Sequence, residues 1–285
     1  MSIVQLVFIA VIQGITEWLP ISSSAHVLLA SDFVGLVGQD ELLINAASNT
    51  GTLIAMLLYF RKDVGAAILG GFELLGAPVT KRPLSSGARL ALCILVATPF
   101  ALLGAVIYEY LAPDAVWAAM RSVYAVAAST IIFGALLWWA DAKGAQSRSE
   151  GDMTLRDAFL IGASQLIAVI IPGTSRSGIT MTAARALGYE RVEAARFAML
   201  IGAPILAAVS LYGMMGLAAA PADGAGATMS DGLIVAALAF VSGYASIGLL
   251  MTLLRKMSFL PFVLYRFALG IALLVTSPIV AGSLS

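Results

Sequence analysis

Residues 13–26 read QGITEWLPISSSAH and stand in the middle of an apolar stretch at residues 1–36. A proline and three serines interrupt this stretch, which therefore does not form one simple helix. The apolar stretch at residues 157–187 is broken in a similar way, by PGTSRSG at 172–178. Two interrupted apolar segments in one chain indicate two helical hairpins that enter the bilayer and return on the same side.

Six further apolar runs are each long enough to cross a membrane. A helix needs about 20 residues to span about 30 Å of hydrocarbon. The runs lie near residues 43–60, 89–108, 116–140, 197–216, 233–254 and 259–280. The chain is 60% hydrophobic and 11% charged, far more apolar than the average soluble domain. The sequence therefore predicts an all-α integral membrane protein with six transmembrane helices and two re-entrant hairpins.

The basic residues orient these spans, because Lys and Arg in short loops mark the cytoplasmic side. They lie in four connections, at residues 61–89, 143–156, 185–196 and 255–256. Acidic residues mark the connections near 40–41, 109–114 and 223–231, which we expect to face outward. The segment 157–187 then enters and returns on the cytoplasmic side. The segment at residues 1–36 ends on the outer side. If it also forms a pair of half-helices, the amino terminus lies on the outer side as well.

An internal repeat with an offset of 152 residues relates the two hairpins. It matches Gln13 with Gln165, Pro20 with Pro172, Ser22 with Thr174 and Ser23 with Ser175. Three spans separate the hairpins, and an odd number inverts the second half. We therefore predict one membrane domain over residues 1–285, built from inverted repeats at about 1–140 and 157–280. The broken helices of the two repeats should converge near the midplane.

The first broken segment contains ionisable residues at membrane depth. Glu17 lies there with His26, the only histidine in the chain. Burying an ionisable side chain in lipid costs a few kcal/mol, about 3 on permissive scales, so such residues usually face a cavity and have a function. The alternative for His26 is a hydrogen-bonded core histidine. The nearby carboxylate and the hydroxyls of Ser22, Ser23 and Ser24 favour the functional interpretation.

The second broken segment has the composition of an anion site. Its polar side chains follow the turn at 172–173, where the returning half-helix should begin: Ser175, Arg176, Ser177 and Thr180. Backbone N–H groups at a helix amino terminus attract anions, and a guanidinium donates in a fork that fits phosphate oxygens. The alternative for Arg176 is an ion pair with Glu17 that ties the hairpins together. The two interpretations are compatible.

Other residues leave their roles open. Arg266, in the last span, either extends toward the cytoplasmic face or reaches the polar site. Asn49 either donates to a substrate phosphate or bridges helices. Gln13, at the start of the first broken segment, is a further candidate for substrate binding. The single cysteine, Cys93, lies in an apolar run, and we expect it to be a small buried residue without a chemical role.

A cavity with a guanidinium, hydroxyls, an imidazole and a carboxylate has the groups needed for phosphoryl transfer by in-line attack. His26 would act as nucleophile or as general acid/base, since imidazole titrates near neutral pH. Glu17 could orient His26, activate water or hold a divalent cation. The competing function is a flippase for a lipid-linked phosphate, because transporters share this architecture. A transporter needs no nucleophile, so the histidine favours a hydrolase. With a net charge of zero and no basic tail, the sequence excludes nucleic-acid binding.

Three segments resemble one known family. Residues 13–26 and the sequence PGTSRSGIT at 172–180 are similar to the two motifs of the bacterial undecaprenyl pyrophosphate phosphatase family, also called bacitracin resistance protein. The sequence SFLPFVLYRF at 258–267 is similar to the carboxy-terminal signature of that family. The resemblance therefore covers nearly the whole chain.

The resemblance implies hydrolysis of the C55 isoprenoid diphosphate carrier to its monophosphate in the bacterial inner membrane. This reaction recycles the lipid for peptidoglycan and other envelope polymers. The resemblance also implies a divalent cation, Mg²⁺ or Ca²⁺. Matching positions fall on functional residues of the family: Glu17, Ser23, His26, Ser175, Arg176 and Thr180. We expect the site to open toward the periplasm.

Two positions depart from the family pattern. Gln13 stands where the family often has Glu, so only one carboxylate, Glu17, remains to bind metal directly. We therefore expect the diphosphate to hold most of the cation, with Glu17 and water helping. Ala25 stands where the family usually has Gly before the histidine, which restricts the turn without removing a catalytic group. The expected partners are the lipid substrate and membrane lipids. A homodimer is compatible with the sequence, which carries no signal for oligomeric state.

Overall fold

The structure is a computed structural model that describes residues 1–23, 25–26, 35, 38–80, 83–110, 119–120, 122–219 and 226–283. Within these residues the chain forms ten α-helices, one 3-10 turn and no extended strand. The helices are α1 Ile3–Thr16, α2 Gly38–Tyr59, α3 Arg61–Thr80, α4 Ser86–Tyr110, α5 Val123–Lys143, α6 Leu155–Ile170, α7 Arg176–Ala186, α8 Arg191–Ala219, α9 Met229–Leu254 and α10 Leu260–Ser283. Most of the returning half of the first predicted hairpin, residues 27–34 and 36, lies outside the described residues.

Five of these helices, α2, α4, α5, α8 and α9, are long and apolar enough to cross a membrane. Each coincides with a predicted span, and the helix boundaries differ from the apolar runs by a few residues. The sixth predicted span coincides with α10, whose described apolar part, Leu260–Val275, is shorter than a full span. The prediction of an all-α, multi-pass membrane protein is confirmed.

The structure corrects one prediction. The sequence suggests a basic loop from Arg61 to Arg89, but most of this segment is helix α3. Helix α3 packs closely on α4. A Cβ added to Gly70 would lie only 2.2 Å from the backbone of Gly87, so the two helices touch at their glycines. Charged residues at its start and one glutamate in its middle break the apolar run, which is why the sequence does not predict a span there. The exposed face of α3 is apolar, and Leu69 on this face is 73% exposed.

Glycines allow the helices around the site to approach one another. A Cβ on Gly51 of α2 would lie 2.0 Å from the carbonyl oxygen of Ala236 in α9. A Cβ on Gly14 of α1 would lie 1.9 Å from Ser242 Oγ, also in α9. Lipid offers no hydrophobic driving force between apolar helices, so close packing of small residues stabilises such contacts. These contacts fix α1 and α2 against α9.

The helix ends form an acidic side, at the connections rich in Asp and Glu, and a basic side, at the connections rich in Lys and Arg. The amino group of Met1 lies 3.7 Å from a carboxylate oxygen of Asp231, at the start of α9 and among the acidic connections. On the basic side, Arg148 donates to Asp157 in the first turn of α6 and to the carbonyl oxygen of Leu187, just after α7. The beginning of α6 and the end of α7 therefore lie together.

Candidate active site

The two interrupted segments contain the same unusual backbone feature. Ser22 and Ser175 have φ angles of 74° and 70°, and they are the two non-glycine residues with positive φ in the described chain. Each follows a proline turn and stands directly before helical residues. Such conformations cost about 1–3 kcal/mol and cluster at functional sites. The two serines are one residue further apart than the sequence offset, so Ser22 corresponds to Ser175 rather than to Thr174.

Glu17 is the centre of the polar network. Its Oε1 accepts a hydrogen bond from Nη2 of Arg176 at 2.7 Å. Its Oε2 accepts from Nε2 of Gln13 at 2.9 Å and from Oγ of Ser23 at 2.8 Å. The same Gln13 nitrogen donates to Oδ1 of Asn49 at 2.6 Å, so Asn49 bridges α2 to α1. Three of the predicted site residues therefore donate to one carboxylate, and a fourth, Asn49, is joined to it through Gln13.

Arg176 is held on three sides. Besides the ion pair with Glu17, its Nη1 donates to the carbonyl oxygen of Gly202 in α8 at 2.8 Å. Its guanidinium carbon lies 5.5 Å from the ring centre of Trp18, close enough for a cation–π contact. The ion pair that the sequence suggested as an alternative is present. The side chain of Arg176 is 18% exposed. A guanidinium has five N–H donors, so some of them remain available to an anion.

The hydroxyls of the second segment bind backbone. Ser175 caps α7 by accepting from the amide of Gly178 at 3.1 Å. Ser177 donates to the carbonyl oxygen of Leu19 at 3.0 Å and so joins the two turns. Thr180 donates to the carbonyl oxygen of Arg176 at 2.9 Å, within α7. All three hydroxyls are buried, and in this arrangement they hold the position of Arg176.

His26 lies one helical turn beyond Ser22 and has its own partners. Its Nδ1 lies 2.7 Å from the carbonyl oxygen of Ser22, and its Nε2 lies 2.6 Å from the hydroxyl of Tyr265 in α10. The two rings stack with centroids 5.5 Å apart. Among the described contacts, none joins His26 directly to Glu17 or Arg176. The direct orientation of His26 by Glu17 that the sequence left open is therefore not present in this conformation.

Arg266 reaches the site rather than the cytoplasmic face. Its side chain is fully buried. Its Nη1 donates to the carbonyl oxygen of Pro20 at 3.4 Å, and its Nη2 to that of Gly173 at 3.0 Å. Its Nε donates to the carbonyl oxygen of Thr130 in α5 at 3.0 Å. One guanidinium therefore fixes both turns relative to each other.

Several residues around the turns are not identified by the sequence motifs alone. Ser129 donates to the carbonyl oxygen of Pro172, and Thr130 donates to that of Gly173 at 3.4 Å. Tyr265, which contacts His26, lies within the carboxy-terminal signature at 258–267 but does not stand out there as a site residue. Ser129 and Thr130 are polar groups in the middle of a predicted span, and Tyr265 lies in the first third of the last span. That pattern, read beside the proline turns, is the signal that could have found them.

A second polar network closes the basic side. Burial raises the pKa of Asp157, but hydrogen bonds from Arg148, Thr154 and Tyr189 outweigh it and lower the pKa to about 2. Burial, together with the bond to Asp157, raises the pKa of the Tyr189 phenol. Nearby, Arg185 donates to Asp141 at 2.8 Å with both side chains buried. This network ties together the basic ends of the helices that carry the second turn.

The described residues do not form a ready-made metal site, since they contain no group of three or more His, Cys, Asp or Glu side chains close together. Glu17 is the one carboxylate in the site, and three donors already occupy its oxygens. The residues therefore fit a cation that brings most of its ligands with it, as a diphosphate-bound Mg²⁺ does.

A family model described as bacitracin resistance protein BacA matches residues 6–272. The chain belongs to this family. A relative named undecaprenyl-diphosphatase from Hyphomonas neptunium is 85% identical, with all of both chains covered. A relative of the same name from Maricaulis maris is 46% identical over 96% of this chain and 99% of its own. Undecaprenyl-diphosphatase 1 from Pseudoalteromonas translucida is 40% identical over 96% of this chain and 98% of its own. BacA membership confirms the resemblance seen in the motifs.

Proposed function

We propose that this chain is a membrane phosphatase that hydrolyses undecaprenyl diphosphate to undecaprenyl phosphate and inorganic phosphate. The name shared by the relatives, one of them 85% identical over the full chain, supports this activity. The observation that carries the proposal is the position of Arg176 at the amino terminus of α7, between Glu17 and Gly202. The reaction returns the lipid carrier to the synthesis of peptidoglycan and confers bacitracin resistance.

Arg176 and α7 together form the anion site. The first N–H groups of α7 carry the positive end of the helix dipole, and the guanidinium adds a full charge. The terminal phosphate binds to the donors of Arg176 that Glu17 and Gly202 leave available. Ser175 and Ser177 keep the turn rigid, so the donors need little reorganisation when charge develops on the phosphoryl oxygens.

His26 is the proton acceptor. It takes a proton from a water molecule as the water oxygen attacks the terminal phosphorus. The bond from that phosphorus to the bridging oxygen breaks, and the electron pair stays on the lipid monophosphate. Ser23 and Gln13 hold Glu17, which keeps Arg176 in place. Glu17, with water, would hold one side of a Mg²⁺ or Ca²⁺ bound to the diphosphate; such an ion neutralises phosphate charge.

Helix lengths support a position of Arg176 near the middle of the bilayer. Helix α7 has 11 residues and ends on the basic side. At about 1.5 Å per residue its amino terminus lies roughly 16 Å from that side, about half the thickness of the hydrocarbon. The buried network of Asp141, Arg185 and Asp157 closes the cytoplasmic end. These features support re-entrant hairpins and a site that opens toward the periplasm.

The helix contacts support the inverted repeat. Helix α1 packs on α9, and α6, its counterpart in the second half, packs on α4, the counterpart of α9. The contact of α2 with α8 joins another pair of counterparts, as does the contact of α5 with α10. The amino terminus beside Asp231 fits an outer location. We place the protein in the bacterial inner membrane with six spans and two hairpins in one domain; a homodimer stays a prediction.

Phosphate release tests the proposed function. Purified protein in detergent should release inorganic phosphate from C55 or farnesyl diphosphate, and EDTA should stop the release. His26→Ala and Arg176→Ala should abolish turnover while the protein stays folded, whereas Cys93→Ala should be nearly silent. No release by folded protein would favour the polyprenyl-phosphate transporter instead. Full turnover by Arg176→Ala would exclude the assigned phosphate site.

A further inference from the structure

The hydrogen bonds of His26 determine which ring nitrogen can react. Its Nδ1 lies 2.7 Å from the carbonyl oxygen of Ser22, and a carbonyl oxygen can only accept. The proton of the neutral ring is therefore on Nδ1, and Nε2 carries the lone pair. That lone pair accepts from the hydroxyl of Tyr265 at 2.6 Å. The nitrogen that would remove a proton from water is covered by a phenol.

We propose that Tyr265 is a positioning residue that caps Nε2 of His26 and is displaced when the lipid diphosphate binds. The inference rests on the proposed function. Tyr265 and its neighbour Arg266 differ in their freedom to move. Arg266 is fully buried and bound to three carbonyl oxygens, so it fixes the register of α10. Tyr265 is 44% exposed, so its ring has room to turn aside while the helix stays in place.

The cap protects and orients the base without taking part in bond making. Stacking of the two rings, 13° from parallel, holds the imidazole plane. When the hydroxyl leaves, Nε2 accepts a proton from the attacking water. The resulting imidazolium keeps the Nδ1–H bond to Ser22, which stabilises its charge. The water oxygen becomes part of inorganic phosphate, and the bridging oxygen leaves on the lipid monophosphate.

The only histidine in the chain allows a direct test that needs no turnover. Diethyl pyrocarbonate acylates neutral histidine nitrogens, and in protein purified without a polyhistidine tag the formation of N-carbethoxyhistidine reports on His26 alone. Tyr265→Phe keeps the ring and removes the hydroxyl. Loss of one hydrogen bond to Nε2 should raise the acylation rate by about three- to tenfold. Tyr212→Phe, an exposed tyrosine of α8, is the matched control and should leave the rate unchanged.

Steady-state kinetics separate a cap from a catalytic acid or a structural residue. Substrate no longer has to displace the hydroxyl in Tyr265→Phe, so KM should fall about three- to tenfold while kcat stays within about twofold. A tenfold or larger loss of kcat would overturn the proposal, since it would make the phenol part of the reaction. An unchanged acylation rate would overturn it as well. The acylation result holds even if wild-type protein releases no phosphate, so the two proposals can fail separately.

Discussion

Gly202→Ala tests whether the position of Arg176 sets the rate. A Cβ at residue 202 would lie 2.3 Å from Nη1 and 2.8 Å from Cζ of Arg176. Ordinary van der Waals contact begins near 3.4 Å, so the guanidinium must move by about 1 Å. That movement breaks the 2.8 Å bond to the carbonyl oxygen of Gly202 and disturbs the ion pair with Glu17.

A displacement of this size should reduce kcat/KM about 100-fold, because misplacing a substrate-binding group by 1 Å can cost that much. The charge of Arg176 is unchanged, so the loss would come from geometry alone. Alanine is favoured over glycine inside a helix by about 0.5–1 kcal/mol, which offsets part of the steric cost. We therefore expect the melting temperature in detergent to change by only a few degrees while phosphate release from farnesyl diphosphate falls.

Gly248→Ala is the matched control. It adds the same methyl group to α9, where the nearest heavy atom would be Tyr59 Cε2 at an ordinary 3.7 Å. This variant should keep wild-type activity. If Gly202→Ala also turns over at the wild-type rate, the location of the Arg176 guanidinium does not control the reaction, and the anion site must be sought elsewhere.

Three further outcomes are expected. Arg266→Met should lower both melting temperature and turnover, because each buried carbonyl left unpaired at Pro20 and Gly173 costs about 1–3 kcal/mol; a melting temperature equal to wild type would contradict its structural role. Asp157 stabilises the fold fully above the unfolded pKa of 3.8, and this contribution is lost as the pH falls toward its folded pKa of about 2. Thermal unfolding between pH 7 and pH 3 should therefore show a smaller acid-induced loss for Asp157→Asn than for wild type, and equal losses would count against the assigned network. EDTA should abolish phosphate release and Mg²⁺ or Ca²⁺ should restore it; an enzyme fully active in EDTA would exclude the cation.

The sequence predicts the membrane helices well, because apolar length and proline interruptions are local signals. It fails at α3, where a glutamate and the charged start conceal a helix. It also misses the one-residue shift at Ser22 and Ser175, since a left-handed φ at a serine leaves no trace in composition. The positive-inside rule also does not account for Arg121, which stands near an acidic connection in the sequence and lies outside the described residues.

The candidate site is predictable by residue type but not by pairing. Buried ionisable groups stand out in an apolar chain, which is how Glu17, His26 and Arg176 can be found. Their partners come from distant parts of the sequence. Tyr265 is 239 residues from His26, and the backbone oxygen that holds Arg176 belongs to Gly202, in a helix without a motif. Only the packing of α8 and α10 against the turns brings these groups together.

The two arginines of the site differ in a way that bears on the cation. Arg266 binds three carbonyl oxygens and, within the described chain, no carboxylate. It therefore holds the two proline turns together. Arg176 is already neutralised by Glu17. A diphosphate entering this pair adds negative charge beside a carboxylate, at a depth where charges are poorly screened. The single guanidinium cannot balance both anions. The proposed divalent cation, carried by the substrate, would supply the missing positive charge, so that one carboxylate at position 17, rather than two, would be enough.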